Sequence, residues 1–434
     1  MDLDVYLSKY RGHRQRLQRA MYIASNAANG SQQQKEATRR ALALFQDSFN
    51  VTAYTEFCSS MFQRGCDVHL EEGFVAARNA AFSDLLSAKQ QKLGQAQAVS
   101  AKDLSREALF ELAELYASRG DMNHSNKCLH RAQEHCKADE HEVQLTHMAI
   151  QCAILTPSAT PMISKRLEKT LQTGGAATTD AEYGYLIVAD AMLKLEGARR
   201  SADSSGYKLV AITLSQKLRR SREIPSDFSL IGDFSCAGDV LLIAVLCALA
   251  TMDRKELEQL VMMPEIKSLL DDEPIVKDLL LSFYDCKYSA SFEAMEKLHP
   301  RIFFDVFLGT HASHLTKAMR QNALRQYASP YVTLSLDKMS AAFQCTRPNL
   351  ELELRQLIQL GKIQARMDLA AGVLKATRTN RKEIAAIKML TAATKLEQDT
   401  LSVARLLSLQ RNHVMERLQV LHRTVAAASS SSHR

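Results

Sequence analysis

A chain of 434 residues is longer than one small core requires and reads as two or three packed units. Its 46% hydrophobic and 24% charged residues exclude wholesale disorder, while only 8 Pro and 16 Gly exclude a fold of many short, turn-linked strands. A net charge of +7 sits in short clusters (Arg11, Arg14, Arg16 and Arg19; Lys217, Arg219, Arg220 and Arg222), which read as solvated helix faces rather than a phosphate-binding surface.

The nine Cys are scattered and never form C-x-x-C, so neither a disulfide framework nor a zinc ribbon is indicated. The acidic start, Met-Asp-Leu-Asp, is unlike a signal peptide. The longest apolar run, Val240 to Ala250, is shorter than the ~18 residues of a membrane span. A reducing, membrane-free compartment is the expectation.

In chain order, helical spacing appears at Leu3, Leu7 and Tyr10 and at Leu17, Met21 and Ala24, with a break at Asn29-Gly30. A second helix carries Ala37, Ala41, Leu44, Phe45 and Ser48 on one side. Ser105 to Cys136 reads as a helical hairpin similar to a tetratricopeptide unit. Leu109, Leu112, Ala113 and Tyr116 form its first stripe, Gly120 ends that helix in the left-handed conformation, and Asp121 caps the next. Cys128, Leu129 and Ala132 supply the facing surface, and the small Ala113 and Ala132 let the two helices approach closely.

From Thr156 to Glu182, Pro157, Pro161, Gly174 and Gly175 suggest a loop around one short helix, and Arg199 to Gly206 an exposed insertion. Asp253 and Glu256 form a capping box, and Pro274 suits the first position of another helix. Paired helices continue to about Leu324.

The pattern changes at Ser329-Pro330. "SPYVTLSL" offers a short strand, Leu336 to Phe343 a short helix, and Thr346 a cap for a helix with Leu350, Leu354, Leu357 and Ile358 facing a core. Gly361 ends it. Ile363, Ala365 and Met367 then alternate with polar residues up to a turn at Ala371-Gly372, followed by Val373 and Leu374. Strand, two helices and a two-stranded ribbon make a winged helix. Beyond it, Arg381 to His422 lacks Pro and Gly and carries Val403, Leu407, Val414, Leu418 and Leu421 near helical spacing. That stripe needs a covering surface, either a partner's bundle or the chain's own winged helix.

The fold class is therefore mainly α: a TPR-like helical repeat (α-solenoid), a winged-helix module and a C-terminal helix. The expected divisions are a helical-repeat arm over 1–235, a helical part over 236–328, a winged helix over 329–378, a bundle helix over 381–422 and a disordered tail over 423–434.

Helical repeats running into a winged helix are the arrangement of PCI domains. "YVTLSLDKMSAAFQCTRPNLELELRQLIQLGKIQARMD", "LCALATMDRKEL", "RQNALRQYASPYV" and "FQDSFNVTAY" resemble the PCI-domain family of the COP-nine signalosome, its subunit-one members in particular, with a proteasome lid subunit as a relative. Pro157 to Gly206 departs from that pattern. The resemblance implies a non-catalytic scaffold in the complex that removes NEDD-eight from cullins, in nucleus and cytoplasm. Its neighbours would be signalosome subunits two and three and the metalloprotease subunits, with cullin-RING ligases as a further contact. Ile363, Ala365, Met367, Val373 and Leu374 on the wing, and the C-terminal stripe, are the expected subunit interfaces.

No residue set for catalysis, metal or cofactor emerges. His311-Ala-Ser-His314 lacks the His-x-His spacing of a lid-type zinc isopeptidase, and His141-Glu142 is followed by Leu145 where a zincin needs His. Cys128, His130, His135 and Cys136 sit at positions on one helix that point apart. A nucleic-acid-binding winged helix is the competing reading. It would use Lys362, Arg366, Lys375 and Arg378, against the acidic Glu351 and Glu353 of the recognition-type helix.

Overall fold

A computed structural model describes residues 3–154, 160–173, 180–200, 205–217, 235–377 and 381–431. Its elements are α1 (Leu3–Ser8), α2 (His13–Asn26), α3 (Gln32–Phe45), α4 (Val51–Gln63), α5 (Glu72–Ala98), α6 (Lys102–Arg119), α7 (Met122–Gln133), α8 (Asp139–Ala153), α9 (Thr160–Thr173), α10 (Asp180–Arg200) and α11 (Ser205–Ile212). Then follow α12 (Ala237–Thr251), α13 (Arg254–Met262), α14 (Pro264–Asp272), α15 (Pro274–Tyr284), α16 (Tyr288–Phe304), α17 (Ala312–Ala328), β1 (Thr333–Ser335), α18 (Leu336–Ala342), α19 (Arg347–Gln359), β2 (Ala365–Asp368), β3 (Val373–Ala376) and α20 (Arg381–Ser431). The mainly helical class is as the sequence indicates. Two compact units are present, Met1–Ile363 and Gln364–Arg434, so the division falls inside the segment 329–378.

Within the first unit, local chemistry sets the hairpins. Gly120 ends α6 at φ +88°, and the Asp121 carboxylate accepts from the His124 N–H at 3.1 Å to start α7. Ala113 and Ala132 are fully buried between these helices, and the Ser125 hydroxyl donates to the Ala113 carbonyl at 2.9 Å. The Asp253–Glu256 capping box forms at α13, and Pro274 opens α15. The apolar run of α12 is buried on every side from Val240 to Ala250, which is why it lacks a polar face. It is a core helix. Pro157, Gly174, Gly175 and residues 201–204 and 218–234 lie outside the described residues.

One feature cuts across the expected division at 235. Helices α1 to α4 bury Tyr6, Tyr10, Leu17, Ile23, Phe45 and Met61 in a common core, and Cys236 and Phe304 pack against the same core. At its edge Arg19, with 0% exposure, stacks its guanidinium 3.7 Å from the Tyr10 ring centroid. It lies 4.0 Å from Asp239 Oδ2 and 3.9 Å from Asp305 Oδ2. The Tyr10 hydroxyl donates to Asp239, and Arg301 bridges Asp239 at 3.1 Å and Glu273 at 2.8 Å. The first two helices thus belong to the same body as the helices after 235, held by a cluster whose central charges, Arg19, Asp239 and Asp305, are buried.

Burial pushes the Asp305 carboxyl up to about 6, helped by the neighbouring Asp239 charge. Burial acts the same way on Asp239, but Arg19 and Arg301 outweigh it and hold that carboxyl below its ordinary value.

Candidate assembly interface

The element order β1, α18, α19, β2, β3 is that of a winged helix. Leu336, Met339, Leu350, Leu354 and Leu357 are buried, as their spacing indicates, and Ile358 is half-buried. Gly361, at φ +68°, ends the stretch after α19. Thr346 occupies the N-cap position with extended backbone but makes no side-chain capping bond.

The wing is an antiparallel hairpin pairing Ala365 with Ala376, Arg366 with Lys375, Met367 with Leu374 and Asp368 with Val373. Its turn is fixed by Asp368, whose carboxylate accepts from the Ala371 N–H at 3.1 Å and meets Lys375 Nζ at 3.3 Å. The Ala371 bond and the lysine both hold the Asp368 carboxyl below its ordinary value. Gly372, at φ +65°, supplies the left-handed residue the turn requires.

The five wing residues expected at an interface divide into two groups. Ile363 and Ala365, each 8% exposed, and Leu374, 3% exposed, are buried within the chain, whereas Met367 and Val373 are half-buried. Ile363, Ala365 and Leu374 are therefore corrected from rim to core. Apolar alternation marks the inward face of a strand, and the same signal cannot tell that face from one awaiting a neighbour. The solvent side of the ribbon carries Arg366 and Lys375.

Helix α20 is different. Every described side chain from Ala385 to Leu418 is exposed, among them Val403 at 53%, Leu407 at 60%, Val414 at 55% and Leu418 at 49%. Leu421 lies on the helix, but its side chain is outside the described residues. Leu396 and Val403, and likewise Leu407 and Val414, are one heptad apart, which places them along one seam of a helix packed at coiled-coil pitch. Met389, Leu390, Leu406, Leu409 and Met415 are also exposed and widen the apolar surface beyond the expected residues. The helix continues through Ser431, correcting the disordered tail expected from 423; the Ala-rich "TVAAA" has high helix propensity and no breaker.

The groups of the nucleic-acid reading are largely engaged elsewhere. Lys362 Nζ donates to Gln321 at 3.0 Å, Lys375 meets Asp368, and Arg378 lies outside the described residues. On α19, Glu353 accepts both bonds from Arg320 Nε at 2.9 and 3.0 Å, and Glu351 pairs with Arg347 at 2.9 Å. That face is a paired lattice rather than bare acid. Among the described residues no group of three or more His, Cys, Asp or Glu could hold a metal, and His311 is buried with its Nδ1 2.9 Å from the Tyr207 hydroxyl. No helix among them is long and apolar enough to cross a membrane.

Comparison with known proteins agrees with this geometry. Residues 295–378 match the PCI domain family, and residues 71–260 match the family described as 26S proteasome subunit RPN7. The chain is 30% identical over 272 residues to COP9 signalosome complex subunit 1b of Drosophila melanogaster, covering 62% of this chain and 50% of that protein. It is 23% identical over 403 residues to COP9 signalosome complex subunit 1 of Arabidopsis thaliana, covering 92% of this chain and 87% of that one. A proteasome relative, the 26S proteasome non-ATPase regulatory subunit 6 of Dictyostelium discoideum, is 30% identical over 139 residues, covering 32% of this chain and 36% of its own length. The chain thus spans half of the Drosophila relative but most of the Arabidopsis one. A wing, a helical body and these matches together make the chain a PCI-domain protein related to COP9 signalosome subunit 1 and to proteasome lid subunits.

Proposed function

We propose that the chain is a non-catalytic scaffold subunit of the COP9 signalosome, the complex that removes NEDD-eight from cullin-RING ligases. The observation that carries this reading is α20, a helix whose apolar seam from Leu396 to Leu418 is open to solvent along its described length. Exposed apolar surface of this extent marks an interaction face. Covering a Val or Leu side chain gains about 1.5–3 kcal/mol, so a handful of such positions suffices to anchor a subunit in a shared bundle.

Signalosome subunits two and three and the metalloprotease subunits are the proposed partners, with cullin-RING ligases as a further contact. Nucleus and cytoplasm are the proposed locations. On the wing, the half-buried Met367 and Val373 remain the proposed contacts to a neighbouring PCI subunit.

Affinity purification of the tagged full-length chain, followed by mass spectrometry, tests the assignment. Signalosome subunits are expected to co-purify, and deletion of 381–431 is expected to remove them while the rest stays folded. Full incorporation of the truncated chain would reject α20 as the anchor. A second reading, a subunit of the proteasome regulatory lid, is favoured by the match over 71–260, and recovery of lid subunits instead would establish it.

A further inference from the structure

We infer that the groove bounded by α16, α17 and α19 is a docking site for an acidic peptide segment of another protein, taken up through its carboxylates. Ser313, Thr316, Lys317, Arg320 and Gln321 recur at three- and four-residue spacing, so they occupy one face of α17, while Leu315, Met319 and Ala323 are buried on another. His299 near the end of α16, with Glu353 and Gln356 on α19, flanks that polar face. The hollow between them encloses about 440 Å³, within the range of ligand sites, and every side chain that lines it is polar or charged. An apolar anchor finds no partner there, whereas a group rich in hydrogen-bond acceptors does.

Charge on the lining itself selects the occupant. Glu353 is the one carboxylate among the described residues that line the groove, and Arg320 Nε donates to both of its oxygens, at 2.9 and 3.0 Å. Neither Nη group of Arg320 forms a hydrogen bond among the described residues, and Lys317 is exposed with no ion pair or hydrogen bond among them. Lys362 Nζ donates to the Gln321 side-chain oxygen at 3.0 Å, which leaves the Gln321 amide nitrogen as its donor to the groove. Two cations, Lys317 and Arg320, against one carboxylate leave a single positive charge in excess. One carboxylate at a time balances that excess, and Ser313, Gln321 and Gln356 supply neutral donors to complete its shell. A phosphate dianion, or the repeated charges of a nucleic-acid backbone, exceeds it. None of these residues lies on the β2–β3 ribbon or on α20, so the site shares no residue with the interfaces proposed above.

The test uses the full-length protein and fluorescein-labelled twelve-residue peptides read by anisotropy. The first carries four Glu among Gly and Ser. The second replaces each Glu with Gln, and the third replaces each with Lys. The first peptide is expected to bind at least tenfold tighter than either control, more weakly as salt rises. Lys317→Glu, and separately Gln356→Glu, is expected to lose at least tenfold with an unchanged melting temperature, because both sites are exposed. Lys102→Glu, the same charge change at an exposed site on α6 outside the lining, is expected to leave binding unchanged. Equal binding of the first and second peptides, binding that survives both groove variants, an equal loss with Lys102→Glu, or no binding to the first peptide would each overturn the inference. Tighter binding of a single-stranded oligonucleotide or of inorganic phosphate, lost with Lys317→Glu, would also overturn it, by making the groove a phosphate site.

Discussion

Helix α2 hides an arginine between two aspartates, whereas α20 holds a row of leucines and valines in the open. Each arrangement is unfavourable on its own: a buried charge loses hydration, and an exposed apolar seam orders water. The first is resolved inside the chain, where Asp239, Asp305, Gln15 and the Tyr10 ring surround Arg19. The second stays exposed along its described length, and on the proposed reading another molecule covers it. A region finished by its own contacts should respond to mutation through folding, and a region finished by a partner should respond through assembly.

Arg19→Met is expected to have the largest effect on stability, since it leaves Asp239 and Asp305 buried without their shared cation. Breaking a buried pair in this way costs roughly 3–5 kcal/mol, to be read from urea unfolding. A cost below about 1 kcal/mol, the scale of an exposed pair, would show that the cluster does not hold the first two helices to the body.

Gly309→Ala probes the same contact by shape. A Cβ there would meet the Tyr22 hydroxyl at 2.2 Å and the Phe303 carbonyl at 2.7 Å, so α2 or the turn after α16 must shift. Overpacking of this kind costs about 1–3 kcal/mol by the same unfolding measurement.

Asp305→Asn sharpens the comparison through pH. The Asp305 carboxyl titrates at about 6 in the folded protein against an ordinary 3.8, so the folded state binds the proton more tightly. Its contribution is full below pH 4 and is lost as pH rises through 6. Asp239 has the opposite sign: its contribution is present at neutral pH and fades as pH falls below the ordinary carboxylate value. The stability difference between the parent chain and Asp305→Asn should therefore move in the parent's favour as pH is lowered from 7 to 4.5. A difference that stays constant over that range would remove Asp305 as a titrating group.

The smallest effect on folding belongs to α20. Val403→Asp with Leu407→Asp and Val414→Asp should change the unfolding free energy by no more than about 0.5 kcal/mol, as expected for exposed sites. The same variant should fail to retain its partners on affinity purification. A large loss of stability would mean that the seam already packs within the chain.

Much of this was readable in advance, for local reasons. Gly120 and Asp121 announce a helix end and a helix start because the left-handed residue and the cap are properties of two neighbouring positions. The wing turn at Ala371-Gly372 is legible in the same way, and so is the apolar stripe of α20, whose spacing lies within one helix. Other features were not. Ile363, Ala365 and Leu374 have the pattern of a strand's apolar face, and only the surrounding fold shows that this face is already covered.

The sequence by itself determined the helical class, the hairpin boundaries, the ribbon after α19 and the stripe on the last helix, because each depends on periodicity or capping over a few residues. Only the tertiary structure decided that Arg19 meets Asp239 and Asp305 and that the first two helices pack with those after 235. Those pairings join positions far apart in the chain. A sequence lists charges and apolar residues one at a time, and which of them share a dielectric and a neighbour is settled only when the helices close on one another.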